Sequence, residues 1–153
     1  MTKKKIAVVT GGAGFIGSHM VDLLLSKKYR VHVIDNLCGG YKKNLAQHNK
    51  NPFLKLEKTN ICQLKPNNKL FKNADYVFHF AGIGDIVPSI ENPIDYMMTN
   101  VQGTIRVLEA SRFAKVKKFV YAASASCYGL TKKRTKENFN IKPEHPYALS
   151  KYL

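Results

Sequence analysis

Tyr147 and Lys151 stand four residues apart near the end of the chain, in Pro146-Tyr147-Ala148-Leu149-Ser150-Lys151. On a helix that spacing puts both side chains on one face. A free tyrosine titrates near pH 10. A phenol that works as a base at neutral pH therefore needs its phenolate stabilised, and a cation one turn away does that. A second group lies at the other end, in Thr10-Gly11-Gly12-Ala13-Gly14-Phe15-Ile16-Gly17. Gly11, Gly14 and Gly17 at this spacing allow a tight turn, close approach of backbone to a pyrophosphate and close packing of helix on strand. The free N–H groups of the helix start, from Phe15 and Ile16 onward, would hold the phosphates. Asp35 follows at the end of the next apolar run. Together these residues read as a dinucleotide site. The Asp35 carboxylate would accept hydrogen bonds from adenosine ribose hydroxyls and repel a 2′-phosphate, which favours NAD over NADP. The other reading of Asp35 is a turn residue at a strand end. A positively charged nicotinamide ring would add to the field of Lys151 on Tyr147.

Such residues need elements to hold them. Ile6 to Thr10 is a short β-branched apolar run and predicts a buried strand. Phe15 to Lys28 repeats Phe15, Ile16, Met20, Leu23 and Leu24 at helical spacing, and Val31 to Asp35 is a second strand. Strand, glycine turn, helix and strand make a βαβ unit with parallel strands. Phe53–Glu57, Tyr76–Phe80 and Lys118–Ala122 are three further strands. Asn92-Pro93 predicts an N-cap followed by proline at the first helical position. The helix it opens should run to about Ala114, with Ile94, Met97, Met98, Val101, Ile105 and Leu108 on one stripe. A polar loop from Gly129 to about Pro146 leads to a last helical segment at Tyr147–Leu153. Alternating βα units predict an α/β domain with a doubly wound parallel sheet.

Composition narrows the function classes. The chain has 153 residues, a length that fits one domain, and its 25 Lys and Arg against 10 Asp and Glu give a formal charge of +15. The basic residues are mostly lysines spread end to end. Short clusters at Lys3-Lys4-Lys5, Lys115-Lys117-Lys118 and Lys132-Lys133-Arg134 lack a zinc-finger or RNP pattern, so solvated surface is favoured over nucleic-acid binding. A general attraction for anionic small molecules remains. No apolar run approaches the roughly 18 residues needed to cross a bilayer, and no secretory leader is evident. Cys38, Cys62 and Cys127 are odd in number and lack CxxC spacing, which fits a reducing cytoplasm; Cys38 and Cys127 are expected to be small buried residues. His19, His32, His48, His79 and His145 show no metal-ligand spacing.

The chain resembles the extended short-chain dehydrogenase/reductases, the NAD-dependent epimerase/dehydratase family, and within them nucleotide-sugar epimerases of the UDP-glucose 4-epimerase type. The resemblance covers essentially all 153 residues. It rests on Thr10–Gly17, Asp35-Asn36-Leu37-Cys38, His79-Phe80-Ala81-Gly82, Asn100-Val101-Gln102-Gly103-Thr104, Ser124-Ala125-Ser126-Cys127-Tyr128-Gly129 and Pro146–Lys151, in that order. It implies a Rossmann-type sheet and NAD as the cofactor. Tyr147 would take the proton of the sugar 4-hydroxyl, Lys151 would lower the Tyr147 pKa and bind the nicotinamide ribose, and Ser124 would hydrogen-bond the same hydroxyl. Asn100, in mid-helix, would help hold the site. Phe80, Ala81 and Gly82 would border the cofactor, and Asn36, Gly39 and Gly40 would line its adenosine side. The resemblance further implies a nucleotide-sugar substrate of the UDP-sugar kind, C4 inversion with the cofactor recycled, and a homodimeric full-length protein.

Three departures from the family pattern stand out. Asn60-Ile61 replaces the usual Asp-Ile or Asp-Leu after the third strand, and its amide oxygen can still accept from adenine. Gly84 stands where some relatives have a lysine near the nicotinamide. Ala125 and Ser126 stand where the 4,6-dehydratases carry an acidic pair. The chain also stops inside a helical pattern, as a fragment would. Residues 1–153 are thus expected to be an incomplete NAD-binding domain lacking a C-terminal substrate region, and inactive alone. Rival readings are a dehydratase or decarboxylase on the same scaffold, and a catalytically silent NAD-binding module.

Overall fold

The computed structural model describes residues 4–131 and 134–153; Lys3, Lys132 and Lys133 of the basic clusters lie outside the described residues. Five strands, β1 (Ile6–Thr10), β2 (Arg30–Asp35), β3 (Leu54–Lys58), β4 (Tyr76–His79) and β5 (Lys118–Tyr121), form one sheet in the order β3-β2-β1-β4-β5. Every pairing is parallel, with Val8 opposite His32 on one side and Val77 on the other. The chain winds outward from β1 to β3, then returns across β1 to add β4 and β5. The reversal falls between β1 and β4, and in such sheets the crevice beyond the carboxyl ends of those strands is where ligands bind.

Alternating side chains of the central strands feed two cores. Val8, Ile34 and Val77 pack with Ile61, Leu64, Phe71, Val107 and Ala110 on one face. Ala7, Val9, Val31 and Val33 pack with Ala13, Val21, Leu24 and Leu45 on the other. A strand buried on both faces reads as a continuous apolar run, which is why β1 and β2 were legible. The expected strands fall within a residue of their observed ends.

Helix α1 spans Phe15–Ser26 and buries Gly17, Ser18, Val21 and Leu24, while Phe15, Ile16 and Leu23 are exposed. A short helix α2 (Val87–Glu91), unforeseen from the sequence, precedes the helix expected from Pro93. That helix runs as α3 (Pro93–Tyr96), a wider π-helical segment at Met97–Gln102, and α4 (Gly103–Phe113). Asn92 does not cap it with its side chain. The buried face is also a different one. Tyr96, Asn100, Gly103, Val107, Ala110 and Ser111 point inward, and Ile94, Met98, Ile105 and Leu108 of the expected stripe are exposed. Close approach contributes at one position: a Cβ on Gly103 would lie 2.6 Å from Ile61 Cδ1, so the helix packs tightly there only because residue 103 has no side chain. Cys38 is exposed rather than buried, because it sits in the turn after β2; Cys127 is buried as expected. Helix α5 (Pro146–Tyr152) ends the described chain. No helix among the described residues is long and apolar enough to cross a membrane.

Candidate functional site

A cavity of about 380 Å³ opens at the switch between β1 and β4. Glycines and an alanine contribute bare backbone to its wall at Gly11, Gly14, Gly39, Gly40, Ala81, Gly82 and Gly84, and Asp35, Asn36, Asn60, Ile61 and Phe80 are among its side chains. Gly11 has φ +67°, and a Cβ there would lie 2.6 Å from Ala81 N. A Cβ on Gly17 would collide with the Gly11 carbonyl oxygen, so helix α1 starts directly against the turn. Ser18 N–H makes the first intrahelical bond, to Gly14 O at 3.0 Å. The N–H groups of Phe15, Ile16 and Gly17 come before it and are the orphan donors of a helix start. The Phe15 and Ile16 side chains do not line the cavity; backbone is what this position offers an anion.

Asp35 is buried and latches the glycine turn. Its Oδ2 accepts from Ala13 N–H at 2.9 Å and its Oδ1 from Leu37 N–H at 2.8 Å. The two readings of this residue are therefore compatible: each oxygen keeps a second acceptor position while the carboxylate shapes the turn. Asn36 Oδ1 accepts from Cys38 N–H at 3.1 Å, and Asn60 Oδ1 from Cys62 N–H at 2.9 Å. Ile61 lines the cavity and also packs into the core against Gly103. Bare glycine backbone beside apolar and amide side chains, with a buried carboxylate at Asp35, fits the diphosphate and ribose of a dinucleotide.

Tyr147 and Lys151 lie on α5. His145 caps that helix, its Nδ1 accepting from Ala148 N–H at 3.1 Å. The His145 ring lies parallel to that of Tyr147, centroids 6.0 Å apart, and Tyr96 meets Tyr147 edge-on at 6.3 Å. Lys151 Nζ stands 4.3 Å from the Tyr121 ring centroid, and burial pushes its amine below the usual lysine range. Burial likewise pushes the Tyr121 phenol up. Ser124 starts the turn Ala125–Tyr128, its Oγ accepting from Ser126 N–H at 3.2 Å. Cys127 Sγ donates to Ala148 O at 3.6 Å and so ties this turn to α5. Lys151 and Asn100 line a second groove of about 330 Å³ with Tyr121 and Leu153, beside the first cavity rather than within it.

Asn100 is held entirely by the protein. Its Oδ1 accepts from Ile83 N–H at 2.8 Å, and its Nδ2 donates to Ile83 O and to Ser150 Oγ, each at 2.9 Å. It joins the loop after β4 to α5. His79 extends the network. Thr104 Oγ1 donates to Asn100 O, so it accepts from His79 Nε2, 2.8 Å away. His79 Nδ1 is then the acceptor for the Thr10 hydroxyl, whose oxygen takes Ala81 N–H at 3.3 Å. Burial, assisted by the charge of Lys151, holds the imidazole neutral with its pKa lowered to about 3. Tyr96, Thr104 and Ser150 were not singled out from sequence. The four-residue steps Tyr96–Asn100–Thr104 could have found two of them.

The model of the NAD dependent epimerase/dehydratase family matches residues 7–153. A putative UDP-glucose 4-epimerase of Methanocaldococcus jannaschii is 40% identical over 149 residues, covering 95% of this chain and 47% of that protein. The UDP-N-acetylglucosamine 4-epimerase of Methanobrevibacter ruminantium M1, solved with UDP-N-acetylmuramic acid, superposes with a TM-score of 0.91 at 35% identity, covering 99% of this chain and 48% of its own. DesIV, a dTDP-glucose 4,6-dehydratase from Streptomyces venezuelae solved with NAD, superposes with a TM-score of 0.88 at 32% identity, covering 96% and 48%. The chain thus spans about half the length of these relatives or less.

Proposed function

The chain belongs to the NAD dependent epimerase/dehydratase family, and on that premise we propose that it is the NAD-binding portion of a nucleotide-sugar 4-epimerase acting on a UDP-sugar. The observation that carries the choice of reaction is the turn after Ser124. Its residues are Ala125, Ser126, Cys127 and Tyr128, and none of them is a carboxylic acid. Elimination of water across C5 and C6 needs an acid and a base at that place, and such help typically contributes about 10²–10⁴-fold. Without it, inversion at C4 is the chemistry these residues support.

NAD, when bound, supplies a reversible hydride acceptor. The rest is the work of this chain. The N–H groups at the start of α1 and the turn Gly11–Gly17 hold the diphosphate. Asp35, Asn36, Gly39, Gly40, Asn60 and Ile61 would face the adenosine side, and Phe80, Ala81 and Gly82 would border the cofactor. Tyr147 would accept the proton of the sugar 4-hydroxyl. Lys151 would supply positive charge to Tyr147 and hold the nicotinamide ribose, while Ser124 would orient the same hydroxyl. The residues that read the sugar would come from sequence beyond these 153 residues, and the full-length protein would be a cytoplasmic homodimer.

The test is to incubate the full-length protein with UDP-glucose, UDP-galactose and their N-acetyl and uronic-acid counterparts, and to identify products by NMR. Interconversion at C4 with no net cofactor consumption is expected, nearly abolished in Tyr147→Phe and strongly lowered in Ser124→Ala with NAD binding intact. A 4-keto-6-deoxy sugar or carbon dioxide as the main product would overturn the epimerase reading in favour of the dehydratase or decarboxylase.

A further inference from the structure

Ser150 lies between Tyr147 and Lys151 in sequence but points the other way, into the protein, and is fully buried. Its hydroxyl hydrogen goes to Tyr147 O at 2.8 Å, and its oxygen accepts from Asn100 Nδ2 at 2.9 Å. A hydroxyl has one hydrogen to give, so toward Asn100 it can only accept. That fixes the orientation of the Asn100 amide, whose oxygen must then face Ile83 N–H, as it does. Gly82 makes room for this oxygen: a Cβ there would lie 2.9 Å from it. Asn100 stands in the π-helical segment. In a straight α-helix, residues four apart drift by about 40°. The wider turn reduces that drift and keeps Tyr96, Asn100 and Thr104 in one inward row. Tyr96 repeats the pattern one step earlier, its hydroxyl donating to Gly84 O at 2.6 Å while its ring edge meets Tyr147.

We propose that Ser150 is a positioning residue, which sets the Tyr147–Lys151 turn of α5 against the cofactor-bordering loop Gly82–Gly84 by way of Asn100. The inference rests on the reading that this loop and this turn face the same dinucleotide. Every donor and acceptor in the link is paired within the protein, so removal of the Ser150 hydroxyl leaves a buried Asn100 N–H without an acceptor. The loosening must then travel to Ile83, 67 residues earlier in sequence and on another element. A hydroxyl that merely tightened α5 would not be felt there.

The experiment is amide hydrogen exchange on the ligand-free 153-residue chain, as wild type, Ser150→Ala and Ser150→Cys, with NADH titration of each. Loss of one hydrogen bond predicts about a twofold to tenfold rise in exchange at the Ile83 amide in Ser150→Ala, with Val8 in β1 unchanged. Ser150→Cys should fall between, since a thiol is a weak donor and acceptor, and it reads the same amide should the alanine variant not fold. NADH affinity should fall by a similar factor. Wild-type exchange at Ile83 in both variants, an equal rise throughout the sheet, or an unchanged NADH affinity in Ser150→Ala beside normal wild-type binding would each overturn the proposal. Failure of the wild-type chain to bind NADH would instead defeat the cofactor reading, and the Ile83 result would still decide whether Ser150 acts through Asn100.

Discussion

His79 is a neutral imidazole with a fixed tautomer in the middle of the sheet, and acid should find it. Its pKa is lowered to about 3 in the fold, against about 6.5 for an unfolded chain. A group with a depressed folded pKa contributes stability that is complete above the unfolded value and is lost as pH falls toward the folded one. Between pH 6 and 3 this residue alone should cost about 1.4 kcal/mol per pH unit. His32, whose pKa burial also lowers, adds to the slope in the same direction. Urea melts at pH 7, 6 and 5 measure the slope, and a flat profile would contradict the buried neutral assignment. Asp35 carries a second prediction. NADH should bind more tightly than NADPH, because a 2′-phosphate would meet a buried carboxylate. Lys42 and Lys43, in the turn that follows Gly40, are the cations that would offset part of this discrimination, and parallel titrations of the two cofactors decide it. Asp35→Ala should lose the preference and also about 1–3 kcal/mol of stability, since two backbone N–H groups lose their acceptor.

Among the elements, the glycine turn and the broken helix carry the geometry. Gly17→Ala puts a methyl against backbone, the Gly11 carbonyl, which cannot yield. It should lower stability by about 1–3 kcal/mol and abolish NADH binding. Gly103→Ala meets side chain rather than backbone, Ile61 at Cδ1 and Cγ1 with Cys62 Sγ beyond, so its cost should be smaller than that of Gly17→Ala and NADH binding retained. Thermal melts with a cofactor titration rank the two, and the reverse order would refute the account. These elements also show what the sequence could and could not say. The strands, the Gly11–Gly17 turn, the place of Asp35 at the end of β2 and the helix that carries Tyr147 and Lys151 were legible, because each is a local pattern of residue type and spacing. The buried face of residues 93–113 was not, because small residues and an inserted wide turn chose it over the larger apolar stripe. Nor was the link His79–Thr104–Asn100–Ser150, whose side-chain bonds join residues 25 and 50 positions apart. His145 as a cap was missed because histidine is seldom counted among capping residues.

For the whole molecule, the described surface leaves Ile86, Val87, Ile90, Ile94, Met98, Ile105 and Leu108 exposed along α2 to α4, and β3 and β5 are the outer strands of the sheet. The 153-residue chain by itself should bind NADH yet show no useful epimerase turnover, and it should self-associate as concentration rises. Coupled activity assays and light scattering check both; robust turnover by the verified chain would sink the reading that sugar recognition lies elsewhere. Strand order has a consequence in time as well. β1 is made first but sits at the centre, with β4 as one neighbour, and Ile6 N–H is met by Asp75, 69 residues later. A ribosome adding about 5–20 residues per second needs roughly 4–14 s to deliver that partner. Until then a strand built of Ala7, Val8 and Val9 has one side unpaired, and the nascent chain depends on whatever shields it.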